Sequence, residues 1–203
     1  MLKFAKFTEN WRCFRQDDCI LFQPGVNLLV GDQGCGKSSL IYALLAGGCP
    51  KSKLPNADEM KKKVIVDASQ SQLITFDFEK DNFRTKGYFE GNSTGFHIAS
   101  MWKSHGEMVK ALIGMLSQVT EHTVVIVDEP DTALSVKSIF LLEQTFKSLA
   151  EKGHQVVAAV HNPFLILAFD QVLSVEHRRW MSGREFIDLS ISEYRAKKDE
   201  KNA

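Results

Sequence analysis

The chain of 203 residues lacks a net charge, because 25 basic side chains balance 25 acidic ones. This balance excludes a protein that holds nucleic acid through bulk positive potential, although local basic patches are compatible with it. The chain also lacks an apolar run of the roughly 18–20 residues that a membrane span requires. The best candidate, residues 156–169, is interrupted by His161, Asn162 and Pro163. We therefore expect no membrane insertion.

Cysteine is scarce, and the cysteines that are present follow no metal-ligand spacing. Cys13, Cys19, Cys35 and Cys49 form no CxxC pair, and a chain of this length does not need disulfides for its stability. The first seven residues mix charged with apolar side chains and contain no signal-peptide core. The sequence therefore predicts a reduced, cytoplasmic protein without a cysteine-bound metal.

The composition is that of a globular domain, with 44% hydrophobic and 25% charged residues. Because no repeat, low-complexity segment or linker interrupts the chain, we expect a single domain over residues 1–203. Its last residues, about 194–203, are predicted to form a charged, frayed tail. Residues 51–63 carry five lysines against two acidic residues, and residues 79–99 have the polar, glycine-containing character of a loop.

Strand-like and helix-like patterns alternate along the chain. Strands are predicted at 2–9, 19–23, 26–30, 72–78, 123–127, 155–160 and, as the last strand, 172–175. Helices are predicted at 37–46, at about 99–119 and at 135–152, the last one ending before Gly153. This order predicts a three-layer α/β fold with a mainly parallel central sheet and an N-terminal antiparallel β portion.

A glycine-rich loop joins the strand at 26–30 to the helix at 37–46 and matches GxxxxGK[ST] at every fixed position. Its glycines permit turns that a side chain would obstruct, and the following helix N-terminus favours negative charge. Such a loop cradles a polyphosphate, with Lys37 reaching the β- and γ-phosphates and Ser38 ligating Mg²⁺. The residues assigned to binding are Gly31, Asp32, Gln33, Gly34, Cys35, Gly36, Lys37, Ser38 and Ser39.

Two carboxylates follow the predicted strand at 123–127. In P-loop enzymes the first acid at such a strand end, here Asp128, orients Mg²⁺ or its waters. The second acid, Glu129, is placed to accept a proton from an attacking water. Acids before a proline also occur at ordinary turns, but the phosphate loop favours a catalytic strand end.

The segment DEPD at residues 128–131, after four apolar residues, resembles the Walker B segment of ABC-type ATPases. The start of the chain, with NWR at 10–12 and PGVN at 24–27, is similar to the opening of RecF-type and SMC-type ATPases. The resemblance covers residues 2 to about 185. It implies a P-loop ATPase head domain that uses ATP and Mg²⁺.

The resemblance implies roles for further residues. Ser104 and Gly106 resemble the signature motif in a shortened SxGE form, which contacts the γ-phosphate bound by the opposite subunit. The same letters also fit a helix capping box. Residues 131–135 occupy the position of the D-loop at the dimer interface. His161 matches the switch histidine that senses the γ-phosphate, so the catalytic residues expected are Glu129, Lys37 and His161.

The base-binding residues stay open at this stage. Trp11 or Phe14 could stack on the base and Arg12 could contact base or phosphate, but packing against the sheet edge explains these residues equally well. GTP is disfavoured because the sequence contains no NKxD segment. The Q-loop glutamine that ABC ATPases carry just past a strand has no match, since Gln70 and Gln72 come before the body of this strand, whose end reads FDFEKDN at 76–82. Either an acidic residue there takes the role or the lysine-rich segment rearranges, and the site is left unassigned.

The segment between Ser38 and Ser104 is too short for the coiled-coil arms of SMC-like proteins, which predicts a bare head domain. The resemblance implies an ATP-bound homodimer that drives a protein partner in DNA maintenance or in phage or defence processes. Two alternatives stay open, the ATPase subunit of a membrane transporter and an ATP-gated DNA-binding clamp. The lysines of 51–63 and the cluster His177, Arg178, Arg179 and Arg184 are either DNA contacts of such a clamp or a solvated surface.

Overall fold

The structure is a computed structural model that describes residues 1–48, 54–68, 72–77, 122–132 and 134–202. The predicted loop at 79–99 and the predicted helix at about 99–119 lie outside these residues. The described elements are β1 Phe4–Phe7, β2 Cys19–Leu21, β3 Val26–Val30, α1 Lys37–Gly48, α2 Ala57–Lys63, β4 Val64–Asp67, β5 Gln72–Asp77, β6 Thr123–Asp128, α3 Val136–Glu151, β7 Gln155–Ala159, α4 Pro163–Leu167, β8 Val172–Ser174, β9 Arg179–Met181 and α5 Gly183–Asn202.

A six-stranded sheet forms the middle layer, in the order β5-β6-β7-β3-β8-β9. Among the described strands of this sheet, those from β5 to β8 in this order run parallel, and β9 alone pairs in the antiparallel sense. Strands β6 and β7 are continuous apolar runs because both faces of a central parallel sheet are covered. The prediction of a mainly parallel central sheet is confirmed.

A second, three-stranded antiparallel sheet has the order β2-β1-β4. It confirms the predicted N-terminal antiparallel portion. Together with α1 it buries one large apolar cluster against the central sheet, whereas α3, α4 and α5 contribute to a second cluster on the other face. Alternate residues of β3 serve the two clusters, Leu29 facing the first and Leu28 and Val30 the second. This alternation makes the domain three-layered.

Helix α1 is longer than predicted, because it continues through Gly47 and Gly48 to the end of the apolar pattern. The pair was expected to terminate the helix. Instead the missing side chains let the helix approach β4 closely: a Cβ on Gly47 would lie 2.7 Å from Val66 Cγ2. Strand β4 and the short helix α2 were not predicted, because lysines dominate the segment that precedes them.

The C-terminal part also differs from the prediction. Strand β8 is not the last strand, since β9 forms a hairpin with it. The segment expected to be a frayed tail is part of α5, which continues to Asn202. Its glutamate, lysine, arginine and alanine residues are strong helix formers, and the buried side chain of Phe186 anchors the start of the helix to the core. In this part of the helix, the Lys197 ammonium lies 3.9 Å from the Asp32 carboxylate of the glycine-rich loop.

Within the described part of the chain, every helix is too short or too polar to cross a membrane. The single domain expected over residues 1–203 stays a prediction.

Candidate functional site

Three loops meet at the carboxyl edge of the parallel sheet, where open α/β sheets place their ligands. They follow β3, β6 and β7, which are neighbours in the order β6-β7-β3. The cleft between them is lined by Gln33, Gly34, Gly36, Lys37, Ser38, Ser39, Glu129 and His161. The structure therefore brings together the predicted phosphate-loop residues, the second acid of the strand end and the histidine.

The glycine-rich loop uses backbone conformations that other residues rarely adopt. Gly34 and Gly36 have φ angles of 84° and 108°, in the left-handed half of the map. At Gly36 space is also limiting, since a Cβ would lie 2.1 Å from Cys13 Sγ. The loop thus needs glycine at position 36 both for its turn and for its contact with the N-terminal segment.

Lys37 is the first residue of α1, and its side chain is buried. Its Nζ donates to the carbonyl oxygens of Gly31 at 2.8 Å and Asp32 at 3.1 Å. The ammonium therefore folds back over the loop, beside the N-terminus of the helix. Positive charge at this position suits an anion bound by the loop.

Ser38 and Asp128 meet across the cleft although they are 90 residues apart, and the Ser38 hydroxyl donates to Asp128 Oδ1 at 3.3 Å. A hydroxyl and a carboxylate are hard oxygen ligands of the kind that Mg²⁺ prefers. No group of three or more His, Cys, Asp or Glu side chains in the described residues is placed to hold a metal. A Mg²⁺ bound by two protein oxygens together with phosphates and waters fits this donor set.

Glu129 occupies a left-handed conformation with a φ of 52°, which is uncommon for a residue other than glycine. Its Oε1 lies 3.3 Å from His161 Nε2, and its Oε2 accepts a hydrogen bond from the Thr132 hydroxyl at 3.4 Å. Backbone strain of this kind is held in place by the surrounding structure and clusters at functional sites. The carboxylate is one-third exposed, so water reaches it.

Asp131 makes contacts that the sequence did not show. It was predicted to begin a D-loop at the dimer interface, which stays a prediction, and only 4% of it is exposed. Its Oδ2 accepts hydrogen bonds from the backbone N–H groups of His161, at 2.7 Å, and Asn162. Among the described atoms its Oδ1 has no partner. The carboxylate thus joins the loop after β6 to the loop after β7 and fixes the backbone of His161, whose side chain lies beside Glu129.

Burial raises the pKa of the Cys35 thiol above its usual value, an effect that outweighs the opposing attraction of Lys37. The thiol is therefore neutral at physiological pH, and Cys35 contributes to the loop by packing. Within the described residues Cys13, Cys19 and Cys35 are free cysteines; the reduced state stays a prediction.

The aromatic residues near the N-terminus divide into two roles. Phe14 is 1% exposed and stacks on Phe7 with ring centroids 4.2 Å apart, so it belongs to the core and is unable to stack on a base. Trp11 remains partly exposed and lines a second groove with Tyr42, whose ring centroid is 6.0 Å away. Arg12 links this groove to the cleft, because its Nη1 donates to Ser39 Oγ at 2.9 Å.

The sequence matches a known protein family. A profile of the AAA domain family AAA_23 covers residues 8–201, nearly the whole chain. The chain belongs to this family.

A curated relative of this AAA domain chain is the ATP-binding protein Uup of Buchnera aphidicola subsp. Acyrthosiphon pisum (strain APS). It is 25% identical over 210 residues, which cover 90% of this chain and 32% of that protein. The chain thus spans about a third of the length of this relative.

Two solved structures share the fold of the AAA domain chain. A nucleotide-free ATP-binding cassette from an ABC transporter has a TM-score of 0.59 at 14% identity, covering 95% of this chain and 96% of that one. Stu0660 of Streptococcus thermophilus has a TM-score of 0.55 at 13% identity, covering 86% and 74%. At these identities the likeness concerns the fold alone. The prediction of an ABC-type P-loop ATPase head is confirmed.

Three predicted features of the AAA domain chain fall outside the described structure. Ser104 and Gly106 lie in the undescribed range 78–121, as does the helix that they were expected to begin. Gln70 also lies outside the described residues, and the side chain of Gln72 is not described. The signature motif stays a prediction, and the position of the Q-loop glutamine stays unassigned.

In the described part of the two basic patches of the AAA domain chain, several lysines and arginines pair with acidic neighbours. Lys61 pairs with Asp58 and Lys63 with Glu59, an ion pair that lowers the pKa of the Glu59 carboxyl. In the C-terminal cluster the basic residues are also paired. The pairs are Arg178 with Asp18, Arg179 with Glu185 and Arg184 with Asp188. These pairs favour the interpretation of both segments as an ordinary solvated surface.

Replacing Asp131 with alanine is expected to destabilise the domain by about 2 kcal/mol, because two part-buried N–H groups lose a charged acceptor. Asp131→Asn keeps an acceptor oxygen and should lose less. Urea denaturation measures the effect. The control is Asp170→Ala at an exposed aspartate, which should stay within about 0.5 kcal/mol of the wild type. Equal midpoints for the two alanine variants would contradict the role of Asp131.

Proposed function

We propose that the chain binds MgATP and hydrolyses it to ADP and phosphate, and that two copies form a dimer around the nucleotide. One observation carries the proposal: Lys37, Ser38 and the Glu129–His161 pair line a single cleft at the sheet edge, where Ser38 also contacts Asp128. These are the groups that phosphoryl transfer requires, namely a phosphate cradle, a metal site and a base. The family and the fold support the proposal.

The loop of residues 31–36 and Lys37 bind the phosphates. The backbone of a glycine-rich loop turns its N–H groups toward a polyphosphate, and the N-terminus of α1 adds a favourable dipole. Lys37 then exchanges its carbonyl partners for phosphate oxygens. Ser38 and Asp128 would hold Mg²⁺, which neutralises charge on the phosphates when bound.

Glu129 and His161 catalyse the hydrolysis. Glu129 accepts a proton from the attacking water as the water oxygen forms a bond to the γ-phosphorus. The bond from the γ-phosphorus to the bridging oxygen breaks, and ADP leaves with the electron pair. His161, 3.3 Å from Glu129, orients the carboxylate and stabilises charge on the transferred group. Lys37 contributes to the same stabilisation.

The nucleoside end of ATP is proposed to enter the groove beside Trp11. The partly exposed indole of Trp11 offers a stacking surface, whereas the buried Phe14 does not. Arg12 stands between this groove and Ser39, where it can contact the α-phosphate or the base. The groove also exposes Tyr42 and Glu59, so it combines aromatic with polar contacts.

The dimer is proposed to form head to tail, with Ser104 and Gly106 of each chain presented to the nucleotide bound by the other. ATP would then hold the interface, and loss of the γ-phosphate would release it. This cycle drives a protein partner in a process of DNA maintenance or of phage or defence biology, as in the SMC/RecF-like class. The NWR turn at 10–12 supports that class. A cytoplasmic, single-domain head fits this role.

Two alternatives retain support. The fold of an ABC transporter cassette favours the ATPase subunit of a membrane transporter. Co-purification with a membrane permease would identify it. An ATP-gated DNA clamp has less support, because its candidate basic contacts are paired with acids. Salt-dependent DNA binding that charge reversal of residues 61–63 abolishes would restore this alternative.

The test is phosphate release from ATP by the purified wild-type chain, with light scattering on the same samples. We expect MgATP to support turnover and to increase the scattering mass, and chelation of Mg²⁺ with EDTA to abolish turnover. A chain that fails to bind ATP in the presence of Mg²⁺ contradicts the proposal. A chain that hydrolyses ATP at an unchanged monomer mass contradicts the dimer alone.

A further inference from the structure

Arg178 differs from the rest of the C-terminal basic cluster, because its contacts lie inside the molecule. Its side chain is 25% exposed, and its Nε is 3.2 Å from Asp18 Oδ2. Its Nη2 donates to the Cys13 carbonyl at 2.6 Å, and Nη1 donates to the Val175 carbonyl. The guanidinium also lies 4.5 Å above the ring of Phe14. A positive charge alone would not require a planar guanidinium, whereas Arg178 uses its three nitrogen atoms in three separate contacts. The geometry therefore indicates a positioning role.

The contacts of Arg178 converge on the turn of residues 11–14. The backbones of Trp11 and Phe14 exchange hydrogen bonds of 2.8 and 2.9 Å, which close this turn. Between them Arg12 has a φ of 52°, a left-handed conformation that costs a non-glycine residue energy. Such a conformation persists where neighbouring contacts over-determine it. Arg178 supplies these contacts at Cys13 and Phe14, the two residues that follow Arg12.

The same turn reaches the candidate nucleotide site. The Arg12 guanidinium lies 4.7 Å above the Trp11 ring, and its Nη1 donates to Ser39 Oγ. Ser39 lines the phosphate cleft, whereas Trp11 and Arg12 line the neighbouring groove. Arg12 therefore connects the groove beside Trp11 with the phosphate cleft.

We propose that Arg178 is a positioning residue that acts through Arg12. It fixes the turn of residues 11–14 so that Trp11 and Arg12 meet the nucleoside end of a nucleotide held at the phosphate loop. This inference rests on the proposed ATP site. It assigns Arg178 to nucleoside recognition and separates it from the binding of the phosphates.

The separation makes a test possible with two ligands, ATP and inorganic tripolyphosphate, each titrated calorimetrically with Mg²⁺. We expect Arg178→Ala to weaken ATP binding about tenfold, because the displaced Arg12 loses one charge-assisted contact with the nucleoside end, and to leave tripolyphosphate affinity unchanged. The control is Arg179→Ala, the adjacent arginine that pairs with Glu185 instead, which should change neither affinity. Equal losses for both ligands, or no loss for ATP, would overturn the proposal.

A double-mutant cycle with Arg12→Ala shows whether Arg178 acts through Arg12. In the Arg12→Ala background, Arg178→Ala should cause a smaller loss of ATP affinity than in the wild-type background, because only the position of Trp11 is left to disturb, whereas fully additive losses would overturn the positioning role. If Arg178→Ala does not fold, Arg178→Lys replaces it, because lysine keeps the charge but loses the fork. A wild-type chain that binds tripolyphosphate but not ATP contradicts the proposed ATP site itself, and the inference falls with it.

Discussion

Replacement of Glu129 by glutamine is expected to reduce ATP hydrolysis about 10²–10⁴-fold, the range that a general base contributes. The amide keeps the size of the side chain and its place beside His161 and Thr132, but it does not accept the proton of the attacking water. Nucleotide binding should therefore persist while turnover stops. Phosphate release measures the turnover, and binding of a fluorescent ATP analogue measures the affinity.

The same variant tests the dimer. Because ATP is no longer consumed, Glu129→Gln should accumulate as an ATP-bound dimer that light scattering detects with MgATP. The control is Glu151→Gln at an exposed glutamate of α3, which should turn over ATP like the wild type. A Glu129→Gln protein that stays monomeric contradicts the ATP-gated dimer. One that hydrolyses ATP within about threefold of the wild-type rate contradicts the role of Glu129 as the base.

Replacement of Lys37 by alanine is expected to weaken ATP binding roughly a hundredfold, because two charge-assisted contacts to phosphate are lost at about 1.5 kcal/mol each. The variant should stay monomeric with MgATP, since the nucleotide no longer reaches the interface. Thermal unfolding offers a direct measurement. For the wild type, ATP at about 100 times its dissociation constant adds about 2.7 kcal/mol of stability, a rise of roughly 5–10 °C in Tm.

At the same ATP concentration Lys37→Ala should show only a small part of that rise. The matched control is Lys152→Ala, an exposed lysine at the end of α3, which should show the full rise. The variant loses a buried side chain, so its Tm without ATP is recorded as the reference. A full ATP-dependent rise in Lys37→Ala contradicts the assignment of Lys37 to the phosphates.

Local patterns predicted the central sheet well. Strand β3 has the predicted bounds, and β6 and β7 differ from the predicted strands by one residue, because buried parallel strands are continuous apolar runs. The predicted bounds of helix α3 were also close to the observed ones, since Ser135 caps its start and Gly153 follows its end with a φ of 83°. Errors arose where a residue type has two uses. The glycine pair at 47–48 serves close packing in the structure, although glycine more often ends a helix.

The residues of the candidate site also divide into those that a local sequence pattern identifies and those that it does not. The phosphate loop and the acidic strand end are contiguous motifs, so their residues were identified from the sequence. The partners of these residues were not. Asp131 lay in a predicted interface loop, and Arg178 lay in a predicted basic surface patch. Each has contacts that no local pattern contains, Asp131 with the backbone of His161 and Arg178 with Asp18, which is 160 residues away in the chain.

The sequence by itself determined the class of fold and the phosphate-binding loop, because apolar periodicity and glycine spacing are properties of neighbouring residues. Only the tertiary structure decided which charges are used inside the molecule. The balanced charges of the chain include specific long-range pairs, such as Arg178 with Asp18. Folding brings these charges within hydrogen-bonding distance, and there the geometry of individual contacts, rather than the total charge, sets the role of each residue.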